Sequence, residues 1–516
     1  MRKKEWFIFL FFLLLVSFLR FSTFFQSFLD LDESLYLLMS QSILDGQVPY
    51  VTVWDQKPPG IYILFSLTQL LLGHSVISIR ILACIAITIT CYLLYRLGNV
   101  ISNNLPGIGL LAGIIYAFLS LINGGLASNT EIFFTPFVVF AFYLLFLNRP
   151  YPAKPFSYSN LKLFMIGLVI GLAIQIKLLV VFDFAAILTM VSIDSYQAAN
   201  KRKDFLKTIL KSFTLLIIGA ILPFFFIASY FVLTGHFADY VYANFTANKI
   251  YSIDNPFSFN LFSQALKIQF KTYTALWLCA FSVPFYLVLD KDTNLEEKKK
   301  LWFILLWFST VFVATCFTKR FYSHYFLQLL PSLCILSSYI LIAVTSKEER
   351  KFAFKQHIVL AFLLFPLLAK TAFHPLRDGI KVIKFRYIER NKNWNDPPAI
   401  IASYLEKRIK KQDYIYVVGY DPILYYLVPA RSPTKYIFSK WLTNKQFSHY
   451  SGSNPIQELN LIMKKKPIYI IKEAVKNPEN DIDSFYTALD SYMKSYYTFE
   501  TSIDGRELYK LKDRNP

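Results

Sequence analysis

The sequence predicts a polytopic α-helical membrane protein with a small α/β domain at its C-terminal end. Three observations carry this reading. Of the 516 residues 55% are hydrophobic, with 51 Phe and 34 Tyr, and only 17% are charged, well short of the quarter or so that a soluble chain uses to clothe its surface. The apolar residues fall in blocks too long for a soluble core. From about His374 onward the composition turns mixed and charged, an ordinary soluble pattern. A soluble multidomain enzyme and a disordered or fibrous chain are both excluded by these features.

A bilayer core about 30 Å thick takes ~20 apolar residues per helix, and somewhat fewer where protein shields the helix. The first block, 6–25, follows Arg2, Lys3 and Lys4. It starts like a signal peptide, but its length and the lack of a small-x-small site favour an uncleaved first helix. Later blocks fall near 76–97, 106–122, 131–148, 161–176, 178–193, 208–234, 273–290, 301–317, 325–345 and 358–373, which makes eleven helices. The stretch around Lys177 also admits a different split. Residues 1–373 thus form a membrane module and 374–516 a soluble domain. In the latter, Asp413–Gly419 and Pro467–Lys472 read as short buried strands, and Ile400–Lys411 has helical spacing. No internal repeat is visible, which counts against a duplicated transporter.

The formal charge of +20 comes from 54 Lys+Arg against 34 Asp+Glu, a balance that raises nucleic-acid binding. The basic residues, however, recur between hydrophobic blocks as topology determinants do, so no nucleic-acid partner is expected. With a cytoplasmic N-terminus, the cytoplasmic loops hold Arg96, Arg149 with Lys154, Lys201–Lys203 with Lys207, Lys298–Lys300, and Lys347 with Arg350 and Lys351. The other side receives Lys57, Lys177, Lys249, Lys319 and Arg320. This alternation obeys the positive-inside rule and exports the first long loop (26–75), the segment 235–272 and the C-terminal domain. The chain is then integral to a plasma (inner) membrane, and its Lys, Asn, Tyr, Phe and Ile usage suits an AT-rich bacterial genome. Cys84, Cys91, Cys279, Cys316 and Cys334 all lie in apolar stretches, without Cys-x-x-Cys spacing, and read as buried small hydrophobes.

The chemistry concentrates in the first external loop, from Asp30-Leu-Asp32-Glu33 through Tyr36, Gly46, Pro49-Tyr50 and Trp54 to Lys57-Pro58-Pro59. Carboxylates set against a membrane helix are expensive unless solvated, paired or functional. Asp32 and Tyr36 are spaced i, i+4, so a helix here shows both to one space; the plainer alternative is that Asp30 and Asp32 only cap that helix. Lys57 precedes Pro-Pro and sits on a stiff extended segment, or is an interfacial snorkelling lysine. Further along, Glu131 stands at the outer start of an apolar helix, where the helix dipole favours a carboxylate. Lys177 interrupts an apolar run, and Lys319-Arg320-Phe-Tyr-Ser-His324-Tyr325 opens another helix from outside. Arg320 and His324 are i, i+4 neighbours there, and Arg suits a phosphate fork; an aromatic and basic interfacial belt is the alternative. Together these groups suit binding of a phosphate-linked lipid, deprotonation of a hydroxyl and stabilisation of a departing phosphate.

The ordered pieces Asp32-Glu33-x-x-Tyr36, Gly46 with Pro49-Tyr50, Lys57-Pro58-Pro59, Glu131, Gly171-Leu-Ala-Ile-Gln-Ile-Lys177 and His324-Tyr325-x-Leu-Gln328-Leu-Leu-Pro331 resemble those of the GT-C integral-membrane glycosyltransferases. This is the superfamily that includes the protein O-mannosyltransferases and lipid A aminoarabinose transferase. The resemblance covers roughly 5–345 and implies a GT-C-like fold, a polyprenyl-phosphate-sugar donor, an external active site and inverting transfer to a hydroxyl acceptor (lipid, cell-envelope glycan or protein). It also implies Asp32 as the base, with Glu33 as its companion. Tyr36, Lys57, Glu131, Lys177, Arg320, His324 and Tyr325 are then the substrate-binding candidates. No organic cofactor is implied; a divalent cation on Asp32, Glu33 and Glu131 stays open, since three carboxylates without geometry do not make a metal site. Extra domains between the central helices, which mark protein mannosyltransferases, are missing.

Two other readings compete. A non-catalytic transporter or flippase for lipid-linked sugars shares the basic external surface but has no use for an Asp-Glu base. An assembly protein, whose helices only anchor a polymer-binding tail, has none either.

Overall fold

A backbone in hydrocarbon must satisfy its own hydrogen bonds, so the apolar blocks fold as helices. The computed structural model describes residues 3–102, 107–147, 158–199, 201–291, 293–346, 353–391, 395–419, 422–473 and 481–512, with backbone alone for 344–346 and 353–363. The basic loop residues Arg149, Lys154, Lys347, Arg350 and Lys351 lie outside the described residues. The chain divides into two compact units. The first is Met1–Ser22, Arg80–Ile227 and Phe257–Gly379; the second is Thr23–Ile79, Ala228–Pro256 and Ile380–Pro516.

In chain order the helices up to the C-terminal domain are α1 (Lys3–Arg20), α2 (Leu31–Leu44), α3 (Gly60–Leu72), α4 (Val76–Ile101), α5 (Ile108–Leu119), α6 (Thr130–Phe146), α7 (Asn160–Ile174), α8 (Val181–Ala198), α9 (Arg202–Leu233), α10 (Phe237–Val241), α11 (Ala247–Ile253), α12 (Phe259–Leu289), α13 (Leu295–Phe317), α14 (Leu330–Ser346) and α15 (Ala353–Ile383). Among the described residues seven helical stretches are long and apolar enough to cross a membrane, and four shorter apolar helices accompany them. The described residues of the predicted blocks from 6–25 to 325–345 fall largely in these helices. The last block, 358–373, lies in α15, where no side chain before Leu364 is described. The break at Lys177 falls where the sequence placed it, because α7 ends at Ile174 and α8 starts at Val181. The protein is a multi-pass membrane protein.

In the first unit, small residues set the helix spacing. A Cβ at Gly171 on α7 would stand 2.4 Å from the Ala220 carbonyl of α9, so only glycine lets these backbones approach, as at many membrane helix interfaces. Further along, α12 breaks at Tyr273 (φ −129°, ψ 32°). The apolar block read as 273–290 is the part after that break.

The second unit corrects one expectation. The segment 26–75, read as an external loop with a helix through Asp32 and Tyr36, carries that helix as α2 and an unexpected second one, α3. At ~1.5 Å rise per residue, the 13 residues of α3 fall short of a bilayer core. It buries Ile61, Tyr62, Phe65 and Gln69 while exposing Leu67, Leu70 and Leu71, the pattern of an interfacial helix.

The C-terminal part of this unit is α/β. It comprises α16 (Pro397–Glu406), β1 (Ile415–Val418), α17 (Leu424–Leu427), α18 (Lys440–Thr443), α19 (Lys445–Ser451), α20 (Pro455–Lys464), β2 (Tyr469–Glu473), α21 (Asp483–Tyr496), β3 (Tyr497–Ile503) and β4 (Arg506–Leu511). The four-stranded sheet has the order β1-β2-β4-β3. Strands β1 and β2 pair in parallel, Ile415 opposite Tyr469, while β4 pairs antiparallel with both β2 and β3. Both strands read from sequence are present. The expected helix 400–411 is shorter than read, because α16 ends at Glu406. All five cysteines are free.

Candidate active site

The acidic loop builds its cluster inside the second unit. Asp30 caps α2, its carboxylate accepting from the Asp32 backbone N–H at 2.9 Å. One turn of helix then brings Asp32 to Tyr36, whose hydroxyl donates to Asp32 Oδ2 at 3.2 Å. Lys57 Nζ meets the same oxygen at 3.2 Å and stands 5.4 Å from the centre of the Tyr36 ring. Capping therefore belongs to Asp30, and the Asp32 carboxylate meets Tyr36 and Lys57. Both partners of the ion pair keep partial access to solvent, 24% for Asp32 and 19% for Lys57. Glu33 is buried at 1% and acts on Asp30 through its charge.

A carboxylate that the sequence reading did not single out completes the cluster. Asp55 is buried, accepting from the Tyr62 hydroxyl at 2.8 Å and from the Gln56 N–H at 2.7 Å. The strap around Lys57 is tied down on several sides. Tyr50 Oη donates to the Lys57 carbonyl at 2.8 Å, Tyr62 Oη reaches it at 3.3 Å, and Asn248 Nδ2 donates to the Gln56 carbonyl at 2.8 Å. Tyr50 itself has φ 72°, an unusual backbone for a bulky side chain and a form of strain that concentrates at functional sites. Trp54 is fixed by its backbone N–H donating to the Lys435 carbonyl (3.0 Å) and by edge-on ring contact with Trp441 (4.8 Å).

These charges govern one another. Burial pushes the Asp30 carboxyl up to about 7, with the Asp32 charge adding to the effect. Burial likewise raises Asp55 against the pull of Lys57. For Lys57, burial opposes the charge, but Asp32 and Asp55 outweigh it and hold the ammonium above its ordinary value.

The remaining candidates lie in the first unit. Glu131, in the first turn of α6 and 1% exposed, is ion-paired with Lys177 and accepts from the Thr130 hydroxyl at 3.0 Å. Lys177 sits 4.3 Å above the centre of the Tyr325 ring, a cation–π contact. Tyr325 meets His324 edge-on at 4.7 Å, and Tyr322 stacks on His324 at 5.8 Å. His324 is close enough to act on the Glu131 charge. Glu131, Lys177, His324 and Tyr325 therefore form one cluster.

The helical i, i+4 relation expected for Arg320 and His324 is not formed. Lys319 and Phe321 have φ 58° and 52°, so Arg320 rides a tight turn, and the chain resumes at Ser323 as a 3-10 helix (Ser323–Leu329) leading into α14. The sequence reading also passed over Asp183 on α8. It is fully buried, accepting from Trp307 Nε1 at 2.6 Å and from Gln328 Nε2 at 2.7 Å, and it pins the turn that carries His324 and Tyr325. Buried Arg20 donates to the carbonyls of Ser120, Gly125 and Leu126, which closes the turn ahead of α6.

Among the described residues, no three His, Cys, Asp or Glu side chains group as metal ligands. Of the three carboxylates left open for a cation, Asp32 and Glu131 each face a lysine.

Comparison with known proteins agrees with this architecture. Residues 56–228 match the family of dolichyl-phosphate-mannose-protein mannosyltransferases. In fold the chain is similar to ArnT from Cupriavidus metallidurans bound to undecaprenyl phosphate (TM-score 0.61, 12% identity, 99% of this chain and 98% of that one). It is also similar to the oligosaccharyltransferase AglB from Archaeoglobus fulgidus in complex with an inhibitory peptide and a dolichol-phosphate (TM-score 0.54, 11% identity, 99% of this chain and 74% of that one). No curated protein matches it in sequence.

Proposed function

We propose that this chain, a membrane glycosyltransferase of the GT-C fold, moves a sugar from a polyprenyl-phosphate-sugar donor to an acceptor hydroxyl at the outer membrane face, with Asp32 as the base. The observation that carries the proposal is the Asp32 carboxylate, held by Tyr36 and Lys57 yet open to solvent. The mannosyltransferase family match over 56–228, which includes Lys57, supports the chemistry. The undecaprenyl phosphate of ArnT and the dolichol-phosphate of AglB support a lipid phosphate on the donor side.

The reaction is a single displacement. The acceptor oxygen attacks the anomeric carbon while the bond from that carbon to the phosphate oxygen breaks. The phosphate leaves with the electron pair, and the hydroxyl proton passes to Asp32. One base opposite the leaving group gives inversion. Lys57 fixes the carboxylate rotamer through its ion pair, Tyr36 orients the carboxylate, and buried Glu33 contributes through its charge. Arg320, Lys177, His324 and Tyr325 are assigned to the donor phosphate, where negative charge grows in the transition state. Glu131 keeps Lys177 in place. No strong acid is required, because a lipid phosphate is already a good leaving group.

Incubating the protein in nanodiscs with a panel of polyprenyl-phosphate sugars tests the proposal. Wild type consumes a donor, and Asp32→Asn lowers the rate by about 10²–10⁴-fold, the usual worth of general-base catalysis, while folding is preserved. Movement of a lipid-linked sugar across the bilayer without donor consumption puts a flippase in its place. Reporter fusions that locate 26–75 in the cytosol overturn the external site.

A further inference from the structure

We propose that the second unit holds a sugar-binding pocket, and that the acceptor is a glycan one of whose neutral sugar rings sits there; this deepens the transferase reading and rests on it. A cavity of about 380 Å³ opens between the Tyr50–Trp54 strap, the start of the segment after α9 and the loop before α18. That volume lies in the small-ligand range. Its walls carry four aromatic side chains, Tyr50, Trp54, Tyr242 and Tyr436, together with one carboxylate, Asp239, and one ammonium, Lys435.

The lining selects among ligands. An acyl chain calls for aliphatic walls, and among the described lining residues no aliphatic side chain exceeds alanine. A phosphate calls for converging cations, but here Asp239 opposes Lys435. A pyranose presents C–H-rich faces for aromatic rings and a rim of hydroxyls that both donate and accept. Tyr242, the most accessible of the four rings, with Asp239 as an acceptor and Lys435 as a donor, matches that surface.

The walls are preorganised. Trp54 and Tyr436 are nearly fully buried, their rings 6.1 Å apart. Tyr242 Oη donates to the Tyr450 carbonyl at 3.3 Å, and Gly452 (φ 67°) leaves room for it, since a Cβ there would lie 2.4 Å from that oxygen. The pocket is also wired to the base. Tyr50, one of its walls, donates to the carbonyl of Lys57, and Lys57 Nζ holds Asp32. A ring seated here would press on the strap that positions the carboxylate.

Saturation-transfer NMR on the full chain in nanodiscs, with methyl glycosides of mannose, glucose and galactose as probes, tests this directly. At least one glycoside should show transfer at its ring C–H protons, and Tyr242→Ala and Lys435→Met should each weaken it by tenfold or more. The same variants should raise KM for a glycan acceptor and leave donor KM unchanged. Absence of transfer from every glycoside, or equal signals in wild type and both variants, overturns the pocket. Donor turnover with acceptor KM unmoved in the variants sinks the pocket and leaves the transferase reading standing. Glycoside binding that the variants abolish, in a protein that turns over no donor, supports the pocket and sinks that reading.

Discussion

Lys57 Nζ lies 3.2 Å from Asp32 Oδ2, and the same ammonium feels the buried charge of Asp55. One cation therefore serves two carboxylates, and only the Asp32 carboxylate opens toward solvent. Removing either partner of the Asp32–Lys57 pair should disable the same device. Lys57→Gln should reduce donor turnover by an amount comparable to Asp32→Asn, and the double variant should cost little more than either alone. Groups that act as a unit are non-additive in this way. Single-turnover donor consumption in the three variants measures the coupling; fully multiplicative losses would show that Lys57 acts elsewhere, for instance as an independent phosphate ligand.

Asp30 titrates near neutrality in the folded chain, raised from 3.8 to about 7 chiefly by burial and next by Asp32. Its folded value lies above its unfolded one, so its stabilising contribution is complete below pH 3.8 and is lost as the pH rises through about 7. Asp30→Asn keeps a helix-capping side chain but removes the titration. The melting temperatures of variant and wild type should therefore diverge in the variant's favour as the pH climbs from 4 to 8. A constant gap across that range would mean that Asp30 is charged throughout.

Glu131 and Lys177 form a buried pair, 1% and 6% exposed. Breaking such a pair from one side leaves an uncompensated buried charge, a loss of about 3–5 kcal/mol. Glu131→Gln should therefore lower thermal stability sharply. Replacing both residues, as Glu131→Gln with Lys177→Met, should recover most of that loss while transfer stays impaired. Recovery of transfer together with stability would reduce the pair to scaffolding.

The spans, the break at Lys177, the strands around Ile415 and Tyr469 and the Asp32–Tyr36 contact were legible in the sequence because each depends on local periodicity. The helix α3 was hidden: its 13 residues are too few for a span, and within the external loop 26–75 only the helix through Asp32 and Tyr36 was read. Asp55 was passed over, since nothing local foretells that Tyr62 will reach it at 2.8 Å. The contacts of Arg20 with carbonyls about a hundred positions away are likewise tertiary facts. Asp183 carried a readable hint, a lone carboxylate within an apolar span, which is expensive unless it has a task. The helical spacing of Arg320 and His324 misled, because periodicity says nothing of the positive φ at Lys319 and Phe321.

That turn makes Arg320 the sharpest test of the donor side. Two non-glycine residues in left-handed backbone cost on the order of 1–3 kcal/mol each, and Phe321 anchors the turn by packing against Phe257 and Phe262 at 5.9 and 5.4 Å. The turn fixes the backbone that carries Arg320, and a guanidinium suits two-pronged phosphate recognition. Arg320→Lys preserves charge but not the fork, so kcat/KM for the donor should fall about tenfold, equivalent to ~1.4 kcal/mol. Arg320→Gln should lose about a further tenfold, and both variants should resist inhibition by free polyprenyl phosphate. Unchanged inhibition alongside a lowered melting temperature would assign Arg320 to the turn's own stability rather than to the leaving group.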